Sequence, residues 1–150
     1  MYSKEEIRKI KTEFWSSFGQ FSQLKRERIG YPKKWMLYKT DIKGLELKFD
    51  FLEKNAIVTI EIDPKNSKSE DYIYKIKLLQ DELVSPEGYE LFFENQVLKE
   101  NFKQVYRVFF EKAKLSYRNK NQWPDIFNFF FDHMMVLESF VIENVDILKA

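Results

Sequence analysis

The chain has 150 residues, with 25 Lys/Arg against 24 Asp/Glu, a single histidine and no cysteine. The lack of cysteine excludes a disulfide scaffold and a thiolate metal site, and one histidine, His133, excludes a multi-histidine metal centre. A hydrophobic content of 44%, with 17% aromatic residues, suffices for one substantial core, so a single domain over residues 1–150 is expected.

The first six residues are already charged and no apolar leader follows, and the longest apolar cluster, 126–137, is interrupted by Asn128, Asp132 and His133. A soluble cytoplasmic protein that does not enter a membrane is expected. Glycines at 19, 30, 44 and 88 are too scattered for a phosphate-cradling loop, and no cofactor is expected. The near-neutral balance hides an asymmetry: residues 1–48 hold 12 Lys/Arg and 6 Asp/Glu, whereas residues 121–150 hold five acids and one lysine. Such a split matches the two ends of the chain to each other or presents an oriented charged surface.

Along the chain, Ile7, Ile10, Phe14, Phe18 and Phe21 follow one helical face, widened by Trp15, and Ser3 with Glu6 forms a capping box. Residues 22–34 read as a loop punctuated by Gly30 and Pro32, followed by a short strand over Trp35–Lys39. Leu45–Leu52 and Ile57–Ile62 alternate apolar and polar residues. Folding the chain about Lys54 and Asn55 pairs Phe51 with Val58, Phe49 with Ile60 and Leu47 with Ile62, and sets Lys48 against Glu61 and Asp50 against Thr59.

Pro64 ends this hairpin. Ser67 and Glu70 then suggest a second capping box, opening a helix over 68–84 with Tyr72, Ile76, Leu79 and Leu83 on one face. Two strands follow, Tyr89–Asn95 and Gln104–Tyr117, the second assigned on its Val, Tyr and Phe content although Lys112 to Lys114 would also suit a helix. Trp123, Pro124 and Asp125 open a last helix running to Asn144. The expected class is α+β: a five-stranded, mainly antiparallel sheet with N-terminal, middle and C-terminal helices packed mostly on one face.

Three constellations carry possible chemistry. Residues 25–39 interleave Lys25, Arg26, Arg28, Lys33, Lys34 and Lys39 with Tyr31, Trp35 and Tyr38, the pattern of cations that follow phosphates beside rings that stack on bases. Within it, Arg26, Arg28, Lys33 and Lys34 are the phosphate contacts, and Tyr31 or Trp35 the stacking platform. A second basic set, Lys99, Lys103, Arg107, Lys112, Lys114, Arg118 and Lys120, extends it. The alternative is a magnesium site of the restriction-nuclease type, in which Glu46, Asp50 or Glu61 bind the metal, Asp41 stands upstream, and Lys48 faces the phosphate. The same charges also suit an ordinary solvated sheet face. Third, Phe127–Met135 is apolar nearly all round, which suits either core packing or a homodimer through the last helix. His133 has no nucleophile placed by spacing and reads as a packed histidine.

Taken together, Tyr2–Glu6, Phe14–Gly19, Trp35 with Tyr38–Thr40, the Phe49/Ile60 hairpin and Trp123–Asp125 resemble the bacterial family described as domain of unknown function 4268. The resemblance covers nearly the whole chain in order. It defines no catalytic residues. The family's members occur as stand-alone chains and resemble a module found behind restriction-nuclease-like domains, which implies a nucleic-acid or defence-related role. The expectation is a non-catalytic binding or accessory module whose partner is nucleic acid or a nuclease-type protein. A magnesium-dependent nuclease and a protein-interaction or self-assembly module are the alternatives.

Overall fold

The computed structural model describes residues 2–99 and 101–150. Ser3 opens the first helix as the sequence predicts: its hydroxyl accepts from the Glu6 N–H at 3.1 Å, and the Glu6 carboxylate accepts from the Ser3 N–H at 3.4 Å. This helix, α1, spans Lys4–Arg28 and so runs through much of the segment expected to be loop. The reason lies in its buried stripe, which goes Phe14, Phe18, Ser22, Arg26 at a spacing of four. The last two members are polar and do not announce a core face. Gly30, at φ 83°, turns the chain out of the helix in a left-handed conformation that favours glycine.

Arg26 is 1% exposed, held against the C-terminal helix α3, Trp123–Lys149. Its Nη1 donates to Glu138 Oε1 at 2.8 Å, its Nε to the Pro32 carbonyl at 2.6 Å and its Nη2 to the Lys34 carbonyl at 3.3 Å. The guanidinium lies 4.1 Å from the centre of the Trp35 ring, and the second Glu138 oxygen accepts from the Met36 N–H. One ion pair thus fastens residues 32–36 to both helices.

That fastening explains why Trp35–Lys39 is not a strand. With the Met36 N–H committed to Glu138, the segment bends through a Met36–Lys39 turn and meets the sheet through one bond, Leu47 N–H to the Leu37 carbonyl at 2.8 Å. The sheet has four antiparallel strands rather than five: β1 Leu45–Leu52, β2 Asn55–Ile62, β3 Phe92–Leu98 and β4 Gln104–Lys112, in the order β1-β2-β4-β3.

The β1–β2 hairpin keeps the predicted faces but not the predicted partners. Phe51 lies opposite Ala56, Phe49 opposite Val58, Leu47 opposite Ile60 and Leu45 opposite Ile62, a shift of two residues. A shift of two leaves every side chain on its own face, so the apolar alternation alone cannot detect it. The turn decides: Leu52 pairs with Asn55 across Glu53 and Lys54, with Glu53 at φ 55°. Lys48 therefore faces Thr59, and Glu61 faces Glu46 on one side and Arg107 on the other.

The middle helix α2 is shorter than expected, Ser69–Leu78, followed by a 3₁₀ turn at Gln80–Glu82. Its predicted Ser67/Glu70 cap does not form, and no side chain caps α2; Asp63 and Asn66 side chains instead accept from the N–H groups of Lys65 and Lys68 in the turns before it. Strand β3 begins three residues later than expected, since Tyr89 packs its ring on Phe129 and His133 before the chain reaches the sheet. Strand β4 is a strand but ends at Lys112, where Lys114 turns at φ 63°.

All three helices contribute to the core on one sheet face, where Leu45, Leu47, Val58, Ile60, Val108 and Phe110 meet Phe14, Phe18, Ile76, Phe129, Phe130, Met134 and Leu137. The all-round apolar character of Phe129–Met134 is absorbed here, inside the chain. No helix among the described residues is long and apolar enough to cross a membrane.

Two substitutions test this account. Glu138→Ala leaves the Arg26 charge and the Met36 N–H buried without a partner, and a loss of about 3–5 kcal/mol is expected by urea unfolding. Gly44→Ala, at φ 80° and with its new Cβ 2.8 Å from Asn66 Cβ, is expected to lose at least roughly 1–2 kcal/mol by the same measurement.

Candidate functional site

The structure divides the predicted 25–39 surface. Arg28, Tyr31, Lys33 and Lys34 are exposed, and Lys33 lies 3.8 Å from Glu27. Arg26 is withdrawn into the ion pair with Glu138. Trp35 is no open stacking platform, because Arg26, Phe49 and Phe131 pack around its ring.

The predicted metal set is not brought together as ligands. Glu61, 5% exposed, gives one oxygen to Lys99 Nζ at 2.9 Å and the other to Arg107 Nε at 3.4 Å. Asp50 accepts from Arg107 Nη2 at 3.4 Å and from the Phe51 N–H at 2.8 Å, while Glu46 is exposed. Two protein cations occupy the space between these carboxylates. Among the described residues, no three His, Asp or Glu side chains converge on a cation position.

What the sheet's open face does form is a cleft. Ile57, Thr59, Glu61, Val105, Arg107 and Phe109 are buried there although no helix covers them. Side chains from the two edges close over them: Lys48 and Asp50 reach in from β1, Phe92 lies 5.6 Å from Phe109, and Lys99 reaches back from the β3–β4 connection. The cleft measures about 640 Å³ and is walled by Lys48, Asp50, Asn55, Lys99, Asn101 and Arg107 among others. Inside it the neighbouring Lys99 amine, then burial, pushes the Lys48 amine below its ordinary range, against the pull of Glu61 and Asp50. Lys99 moves the other way: burial opposes its charge, but its neighbour Lys48 and its bond to Glu61 prevail.

A groove of about 720 Å³ adjoins this cleft across Asp50, Phe51, Glu53 and Asn55. It lies between the hairpin tip, the first half of α1 and residues 116–118. Two bonds fix its walls to each other, Leu115 N–H to the Lys54 carbonyl at 2.7 Å and Lys114 N–H to Asn55 Oδ1 at 3.3 Å. Its aromatic residues are Trp15, stacked 5.8 Å from Phe130, and Tyr117, 5.3 Å from Phe51. Lys11, Lys54 and Arg118 stand exposed around them, and none forms an ion pair among the described residues. Of these residues only Arg118 belongs to a predicted basic set. Lys54 stands some forty positions from Lys11 and Trp15, so no local pattern connects it to them.

His133 is fully buried. Its Nδ1–H donates to the Phe129 carbonyl at 2.9 Å, which leaves Nε2 to accept from the Ser85 hydroxyl at 2.7 Å. Ser85 Oγ in turn accepts from the Glu87 N–H. The pair resembles a base and a nucleophile, but it is closed off from any substrate and its bonds are satisfied within the fold.

The fold and this surface define a small α+β module with a polar cleft joined to a basic, aromatic groove. The chain belongs to the family described as domain of unknown function (DUF4268), whose profile matches residues 10–145. No curated protein and no solved structure matches it.

Burial holds His133 below its ordinary value near 6.5, more strongly than its bond to Phe129 raises it. The unfolded chain therefore takes up this proton first, so His133 stabilises the fold above that value and the contribution is lost as pH falls through the lower folded value. Urea midpoints measured from neutral to mildly acidic pH are expected to fall more steeply for the wild type than for His133→Gln.

Proposed function

We propose that this chain is a non-catalytic binding module that takes a single-stranded nucleic acid in the groove between α1 and the β1–β2 turn, in keeping with an accessory role beside a nuclease. One observation carries the reading: three exposed cations without acid partners among the described residues, Lys11, Lys54 and Arg118, surround a concave floor that contains Trp15, Phe51 and Tyr117. Cations spaced around aromatic rings suit a strand whose phosphates run along the rim while its bases lie on apolar surface. A duplex keeps its bases stacked inside and has no use for such a floor. The acids of the groove do not cancel the effect, since Asp50 is paired with Arg107 and Glu53 sits on the outer turn.

This surface replaces the 25–39 segment as the main contact. The exposed Arg28, Lys33 and Lys34 add to the positive field of the N-terminal half, which speeds encounter more than it holds the bound state.

Fluorescence anisotropy with labelled oligothymidylate and oligouridylate across a salt series tests the reading. Three displaced phosphate counterions give an expected slope of log K against log salt of about −2. The double variant Lys54→Glu/Arg118→Glu is expected to weaken binding at least about tenfold, and Lys33→Glu/Lys34→Glu only about twofold. The reverse ranking would move the interface to 25–39, and no binding at low salt would end the nucleic-acid reading.

A further inference from the structure

Two unlike surfaces lie side by side at the C-terminal end of α1. The first is a projection: Ile29 and Tyr31 are exposed there, beside Arg28, Lys33 and Lys34. Glu27 stands 3.8 Å from Lys33, while Arg28 and Lys34 form no ion pair among the described residues. The second is an open groove of about 350 Å³ between the 3₁₀ turn and α3, lined by Val84, Met135, Val136 and Phe140. The charged residues lining it are Glu82 and Glu143, and neither forms an ion pair among the described residues. Ile29, Val84 and Ile142, the residue before Glu143, are each at least half exposed. Apolar side chains left open beside unpaired charge mark a contact surface.

The projection and the groove meet at Arg26 and Met135. Arg26 Nη1 lies 3.5 Å from Met135 Sδ, and its guanidinium 5.6 Å from the centre of the Tyr31 ring. Within one chain the two surfaces stay apart, because Arg26 ties the end of α1 to Glu138 and to the Pro32 and Lys34 carbonyls. We propose that the protein forms a two-fold homodimer through this face. Ile29 and Tyr31 of each protomer lie on the Val84, Met135 and Phe140 groove of its partner, and Arg28 and Lys34 face the acids at the groove's rim. A second copy is the occupant that the charges favour. It brings both signs, so a two-fold axis beside Met135 makes each favourable contact twice. A nucleic acid would meet Glu82 and Glu143 with its own negative charge.

This interface does not rest on the nucleic-acid reading above. The groove assigned to a strand is lined by Lys11 and Trp15, and Arg28 lies about 25 Å farther along α1 than Lys11, at 1.5 Å per helical residue. Sedimentation velocity of the purified chain from about 1 to 100 µM, the range suited to a small interface, measures the association. A monomer–dimer equilibrium that weakens as salt rises is expected. Arg28→Glu/Lys34→Glu makes both surfaces acidic, and Glu82→Lys/Glu143→Lys makes both basic. Each variant alone is expected to associate at least about tenfold more weakly than the wild type. Mixed in equal amounts they are expected to form a one-to-one heterodimer, since every contact then joins opposite charges. Val84→Glu puts a charge into the apolar contact and is expected to weaken the wild-type dimer at least about tenfold. All five positions are exposed, and Asn144, which donates to Glu82, keeps its bond to the Phe140 carbonyl. Thermal melts by circular dichroism establish that each variant is folded.

A chain that stays monomeric throughout, or a dimer indifferent to Val84→Glu, would overturn the interface. Oligomers that grow beyond two would overturn its two-fold symmetry, since a closed contact leaves no surface for a third copy. Reversed variants that fail to associate with each other would overturn the pairing of projection with groove. Loss of the dimer in each reversed variant, with recovery only in the mixture, assigns it.

Discussion

Ile126 to Val141 of α3 are apolar on nearly every side, and the need to bury them shapes the rest of this chain. Its residues Ile126, Phe129, Phe130, Met134, Leu137, Phe140 and Val141 are buried, with the sheet on one side and α1 on another. Phe130 alone lies within 6.1 Å of the rings of Phe14, Trp15, Phe18, Phe49 and Phe51, from two elements far apart in sequence. Burial of this aromatic mass, at about 25 cal/mol per Å² of apolar surface, is the chief favourable term of the fold. The strand face that receives it has no room for charge in its middle, so every charged strand residue but Lys112, at the very end of β4, lies on the opposite face.

Crowding of charge on that opposite face then creates the site. Glu46, Lys48, Asp50, Glu61, Arg107 and Glu111 all project from it, and a flat solvated sheet would leave them to water. Here the two edges lean over the central strands, and Glu61 and Arg107 become as buried as core residues. Buried charges persist only when paired, so the network is ordered around Arg107. Lys48, at the edge of that network, has no ion-pair partner among the described residues.

Chemistry that residue types suggest can be cancelled by their partners. Arg26 belongs to a basic, aromatic run and reads as a phosphate contact, yet it is among the most enclosed polar side chains of the helical layer because Glu138 lies one helix away. Ser85 and His133 make the contact of a nucleophile and its base, but packing by Phe110, Phe129 and Tyr89 turns the pair into a joint between the 85–89 segment and α3. Conversely, Lys11, Trp15 and Lys54 mean little in their own segments and gain a role only by meeting at the hairpin tip.

The division between sequence and tertiary structure follows from range. Periodicity, caps and turn residues are local, so the sequence by itself determined the class, the Ser3/Glu6 cap, the two faces of the hairpin, the long last helix and the family. It could not choose between registers two residues apart, because both place the same side chains on the same faces, and the Glu53–Lys54 turn had to decide. Nor could it see that α1 continues to Arg28 or that residues 35–39 leave the sheet, since both depend on one ion pair between residues 112 positions apart. The site belongs wholly to this second category: a groove and a cleft exist only where distant side chains converge, and whether a charge is available to a ligand depends on neighbours that the fold alone supplies.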